Sequence, residues 1–133
     1  SKITLDKGKL HGQKTSWLEN GHKQKEETFK TGRLHGKTTF WTTDDKRYEV
    51  NFKEGMPWDG SLIETFEDGT IKKVENFKDG KLHGKLTVWR KSGKREKEEE
   101  YNQGNLIELK RWNYTESNII EHKKWSVTGK RIK

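Results

Sequence analysis

The 133-residue chain contains no cysteine and no alanine, and only one proline and one methionine. Without cysteine there is no disulfide framework, no thiol nucleophile and no thiolate metal site. The missing alanine argues against a helix bundle, because alanine is the best helix former. Apolar residues are scarce as well, at 26%. No apolar run approaches the roughly 20 residues of a membrane helix, so no transmembrane segment is expected. No apolar signal segment is present. The chain opens Ser1-Lys2 rather than with methionine, which leaves room for a removed leader; a soluble protein, cytoplasmic or exported, is expected.

Charged residues are abundant, at 38% with a net charge of +8. Such composition is typical of disorder, since little can be buried and much must be solvated. The aromatics argue otherwise. Six Trp, five Phe and three Tyr make 14 of the 35 hydrophobic positions. Each buried aromatic removes roughly 150–250 Å² from water, so a few replace many aliphatics.

The glycines reveal the organisation. Leu-His-Gly occurs three times, ending at Gly12, Gly36 and Gly84. All 13 glycines fall into three registers. The first is Gly8, Gly32, Gly55, Gly80, Gly104 and Gly129, at steps of 23 to 25. The second is Gly12, Gly36, Gly60 and Gly84, four or five residues later. The third is Gly21, Gly69 and Gly93, each 11 residues before the next first-register glycine. The same count places Asp44 and Asn118 in the third register, and both residue types tolerate a positive φ.

Aromatic positions keep step. Phe29, Phe52, Phe77 and Tyr101 stand three residues before a first-register glycine, with Leu5 in the same place and Trp125 one place early. Trp17, Phe40-Trp41, Phe66, Trp89 and Trp112 stand midway. Asn20-Gly21 and Asp68-Gly69 are strong hairpin signals. Tyr48, Val50 and Phe52 alternate with polar residues at period two. No stretch sustains a period of 3.6. Each unit of about 24 residues therefore reads as a β-hairpin that buries its face only against its neighbours. The expected fold is all-β: an elongated, twisted, antiparallel single-layer sheet, forming one repeat domain over residues 1–133. Its units run 6–29, 30–52, 53–77, 78–101 and 102–125, with 1–5 and 126–133 as caps or partial repeats.

This pattern, aromatic-x-x-Gly-Lys-Leu-His-Gly followed by Trp, resembles the MORN repeat, and more closely its bacterial, antitoxin-like variant. Phe29 to Gly36, Phe77 to Gly84 and Tyr101 to Gly104 carry the resemblance, which spans essentially the whole chain. Three departures stand out. Two residues rather than one separate aromatic and glycine. Unit three reads Met56-Pro57-Trp58-Asp59-Gly60, with one insertion, and unit five has Glu108 in place of the second glycine. The family implies an elongated twisted sheet with roles in scaffolding and binding, and phospholipid binding has been suggested for it.

Chemical motifs are absent. There is no nucleophile elbow, phosphate loop or His-Glu-x-x-His helix, so no catalytic residue and no enzyme activity is expected. His11, His35 and His83 share one register, but register mates lie two strand spacings apart, roughly 9–10 Å. That is too far for one zinc, so no metal or cofactor is expected, and the histidines read as turn residues bonding locally. Asp59, beside Trp58, is the least improbable catalytic carboxylate. The acidic run Glu96 to Glu100 reads as a solvated strand that discourages edge aggregation.

Binding is the expected business of such a chain. Trp and Tyr are preferred interface anchors. Trp58 and Trp112, in the irregular units, are the first candidates for exposed anchors, followed by Trp17, Trp41 and Trp89. Lys14, Lys37 and Lys85 recur beside these aromatics. The leading expectation is a non-enzymatic module that binds another protein, with an immunity or antitoxin role as one version. A basic surface for anionic lipid or nucleic acid is the alternative. A third is an accessory domain of a larger enzyme.

Overall fold

A computed structural model describes residues 3–6, 9–43, 45–126 and 131–132. Among the described residues it is all-β, without helices, and 13 strands form one open antiparallel sheet that meanders in chain order apart from the short β4. β1 is Ile3–Asp6, β2 Lys9–Trp17, β3 Lys23–Lys30, β4 Arg33–Leu34 and β5 Gly36–Trp41. β6 is Arg47–Lys53, β7 Met56–Thr65, β8 Ile71–Lys78 and β9 Lys81–Trp89. β10 is Arg95–Asn102, β11 Asn105–Trp112, β12 Ile119–Trp125 and β13 Arg131–Ile132. β4 pairs only with β3 and is separated from β5 by His35. The hairpin-repeat sheet expected from the glycine registers is the observed fold.

Two turn types alternate along the chain, and they define two long edges. Along the first edge, both central residues of each turn have positive φ: Glu54 (48°) with Gly55 (86°), and Gln103 (47°) with Gly104 (88°). Thr31-Gly32 and Asp79-Gly80 do the same. These are type I′ turns, whose twist matches that of the strands they join. Along the second edge stand type I turns closed by one left-handed residue. Gly21 N–H donates to Leu18 O (2.9 Å), Gly69 to Phe66 O (2.9 Å) and Gly93 to Arg90 O (2.9 Å).

The two non-glycine slots of this second edge need correction. The left-handed residue is Asp45 (φ 63°); Asp44 lies outside the described residues. In the last loop it is Glu116 (φ 62°), not Asn118. Glu116 N–H donates to Asn113 O (3.0 Å), as Gly21 does to Leu18, but this loop closes one residue later, from Asn113 N–H to Asn118 O. Counting back 11 from Gly129 therefore stops two residues short of the left-handed position. Gly8 and Gly129 themselves lie outside the described residues.

The core is small. Phe40, Val50, Phe52 and Ile63 are buried together, with Leu34, Tyr48, Leu62, Ile71 and Val74 packed against them. Thr38, Thr39 and Phe40 are three consecutive buried residues of β5. Strict alternation would bury only one face, so this strand is covered on both sides. Curvature provides the cover. β3 and β7 are three strand spacings apart, roughly 14 Å in a flat sheet. Yet Gln24 Nε2 donates to Thr65 Oγ1 across that interval at 3.0 Å. A methyl group placed on Gly69 would meet Leu18 Cδ1, two hairpins away, at 2.8 Å. The second edge is therefore drawn together, and its turns stack.

Candidate functional site

The Leu-His-Gly motif has a structural task on the first edge. Three of the type I′ turns, at Glu54-Gly55, Asp79-Gly80 and Gln103-Gly104, expose two backbone N–H groups, and the preceding hairpin accepts both. Gly55 N–H donates to Leu34 O (2.8 Å) and Gly104 N–H to Leu82 O (2.8 Å). Glu54 N–H donates to His35 Nδ1 (3.4 Å) and Gln103 N–H to His83 Nδ1 (3.1 Å). Leucine carbonyl and histidine ring thus staple one hairpin tip to the next. In unit three, Trp58 O accepts from Gly80 N–H (3.0 Å) and Asp59 Oδ1 from Asp79 N–H (3.1 Å). Asp59, weighed above as a catalytic carboxylate, therefore stands in the histidine's place as an acceptor. The inserted residue is absorbed as a β-bulge: Phe52 pairs with Pro57, but Asn51 pairs with Asp59.

The acceptor role makes a prediction. His83→Ala will remove one hydrogen bond, costing roughly 0.5–1.5 kcal/mol, while His83→Asp, copying Asp59, will recover most of it. Thermal melting of the two variants beside the parent reads the difference.

The anticipated aromatic anchors are scattered rather than aligned. Trp112 is buried, at 7% exposure, and this corrects the expectation that it stands free. The Arg95 guanidinium lies 4.3 Å from its ring centroid. Arg90 Nη2 donates to its carbonyl at 3.0 Å. Trp58 is half-buried against Gly80, with Lys53 Nζ 4.3 Å from the ring centroid. Trp41 is half-buried beneath Lys23. Trp17 is exposed, at 51%.

The recurring lysines are exposed and face glutamates. Lys37 Nζ stands 3.6 Å from Glu49, and Lys85 Nζ 3.6 Å from Glu98. Lys14 is the cross-strand partner of Glu27. Exposed pairs of this kind contribute under about 1 kcal/mol each, but they balance the middle of the sheet electrically.

Trp58 lines an open hollow on the first edge, together with Phe52 and Met56, and Trp89 joins a cleft on the second. The stacked turns of the second edge enclose a cleft of about 400 Å³. Trp89, Tyr48 and Ile71 give it apolar walls, and Lys46, Arg90 and Lys91 line it with positive charge. Among the described residues, no carboxylate lines it. Arg90 is held from three sides: by Glu96 (3.3 Å), by the Trp112 carbonyl, and by the Tyr114 ring, 4.4 Å away. Its Nε is buried and without an acceptor, an exception among native buried donors. Sequence reasoning missed this cleft. It singled out Trp89 by register, but Lys46, Tyr48 and Ile71 come from other units and meet it only because the edge curls.

The adjoining loop carries a pH-sensitive contact. Glu116 accepts from the Arg95 backbone N–H and from Arg95 Nε, the latter at 3.2 Å. The backbone hydrogen bond, aided by the Arg95 side chain, holds the Glu116 carboxyl below its ordinary pKa. A carboxyl lowered on folding stabilises the fold above its unfolded pKa and loses that contribution as pH falls through its folded pKa. The 112–118 loop should thus loosen on the acid side, and Glu116→Gln should flatten that limb; melting curves from pH 6 down to roughly 3 check it.

Among the described residues, no three histidine or acidic side chains group as metal ligands, and no helix is long and apolar enough to cross a membrane. No family model, curated protein or solved structure matches the chain.

Proposed function

We propose that the protein is a non-enzymatic repeat module that binds another protein along the second, bulged-turn edge. The cleft over Trp89 carries this reading: it combines aromatic walls with fixed charge. His35, His83 and Asp59, groups that could have served chemistry, are engaged in staples instead. The unit's resemblance to the bacterial MORN variant supports a scaffolding or binding role, with an antitoxin-like function as one form. Capture experiments from the cells that make this protein test it. A partner should be retained by the parent and by Trp17→Ala, and lost with Lys91→Glu. Identical captures by all three would overturn the assignment to this edge.

One observation favours a second reading, a polyanion or anionic surface bound at the first edge. Lys30, Arg33, Lys53, Lys78 and Lys81 flank the type I′ turns, and no ion pair engages them among the described residues. Binding of that kind collapses with salt, since the Debye length shrinks from about 10 Å at 0.1 M to about 3 Å at 1 M. Absence of retention on an anionic matrix even at low salt would sink it.

A further inference from the structure

We infer that the cleft over Trp89 receives an extended acidic segment of the partner protein, presenting one aromatic side chain between carboxylates. The inference rests on the protein-binding reading and names the chemistry of what is bound.

The cleft's composition selects this ligand. Trp89 and Tyr48 offer ring faces and edges, against which another aromatic ring packs in offset or edge-on geometry. Cleft volumes of 300–1,000 Å³ are typical of sites that engulf a compact group, and about 400 Å³ suits one aromatic side chain with a charged neighbour. Among the described lining residues the charge is of one sign. Lys46 stands on one turn and Lys91 on another, so the cations flank the apolar walls. Asp68 lies near Lys91, but its carboxyl is held by the Thr70 hydroxyl (2.6 Å) and Thr70 N–H (3.0 Å), and it does not line the cleft.

Arg90 adds specificity. Its guanidinium is already fixed by Glu96, the Trp112 carbonyl and Tyr114, so little side-chain freedom is lost on binding. The hydroxyls of Thr43, Thr70 and Ser92 along the rim suit a peptide backbone. The other hollow on this edge has the opposite character: Glu19, Glu67 and Asp68 line it and would repel the same segment. That contrast limits the acidic segment to one place and gives it a direction along the edge.

The test uses the full chain and three labelled peptides: tryptophan flanked by aspartates, alanine flanked by aspartates, and tryptophan flanked by lysines. Fluorescence anisotropy at low salt should show the first binding at least about tenfold more tightly than either of the others. Lys91→Glu should weaken it by a similar factor. Trp89→Leu should do likewise, and should Trp89→Leu fail to fold, the exposed Lys91→Glu carries the comparison alone. Equal binding of the alanine peptide, or indifference to Lys91→Glu, overturns the inference. Preference for the lysine-flanked peptide overturns the acidic partner and leaves protein binding at this edge standing. Binding by none of the peptides, joined to identical captures by the parent and Lys91→Glu, overturns both.

Discussion

Gly60→Ala should unfold the protein or come close to it. Gly60 has a φ of 111°, and a Cβ there would sit 2.3 Å from the Glu49 carbonyl oxygen and 2.9 Å from Val50 Cα. Both atoms are backbone, at the centre of the sheet beside the most buried side chain, Val50 (1% exposed). Neither can rotate away as a side-chain tip could. Left-handed strain and displacement of a central strand together should cost about 3 kcal/mol or more. Small domains have only about 5–15 kcal/mol in total. Gly93→Ala is the matched control. Its φ is 90°, but nothing lies within 4 Å of its Cβ position, so only the left-handed penalty of roughly 1–2 kcal/mol applies. Denaturant unfolding of both variants measures the gap. Equal losses would mean that strand β6 does not approach Gly60 as described.

Trp112→Ala should be the costliest tryptophan truncation, at roughly 3–5 kcal/mol. The ring is buried, Arg95 covers it, and Arg95 in turn holds Glu116. Removing the indole therefore opens a cavity and frees a cation that positions the last loop. Trp17→Ala should change stability by less than about 1 kcal/mol, because half of that side chain already meets water. Melting temperatures of the two variants settle the order. The reverse order would put Trp112 on the surface, as a candidate anchor.

These two results mark where the sequence was legible. Antiparallel order and the glycine-bearing turns follow from the glycine registers, because a positive φ is a backbone demand that few residues other than glycine meet cheaply. The registers do not distinguish why each glycine is needed. Gly93 serves a turn in open space, while Gly60 lies against a neighbouring backbone. The burial of Trp112 was hidden for a related reason. An irregular unit suggested an exposed surface, but the long last loop folds Glu116 and Tyr114 back toward arginines of the previous hairpin. The +8 charge had the same ambiguity. Mid-sheet lysines face glutamates across the strands, and the unpaired cations gather at turn tips, a division that only strand register reveals.

The Leu-His-Gly motif was the strongest repeated signal, and its meaning lies between hairpins. Spacing alone excluded a shared metal and favoured a locally bonding histidine. It did not show that the bond crosses to the next unit's turn, nor that Asp59 stands in for the missing histidine. With the motif committed to stapling, the proposed recognition surface lies on the opposite edge, where the turns vary from unit to unit.

Amide hydrogen exchange tests that division most directly. The amides of Glu54, Gly55, Asp79, Gly80, Gln103 and Gly104 should be protected, although they sit in turns at a sheet edge. His83→Ala should release Gln103 and leave Asp79 protected, because Asp59 still accepts from it. Turn amides that exchange as freely as an unfolded peptide, or a Gln103 amide indifferent to His83→Ala, would contradict the account.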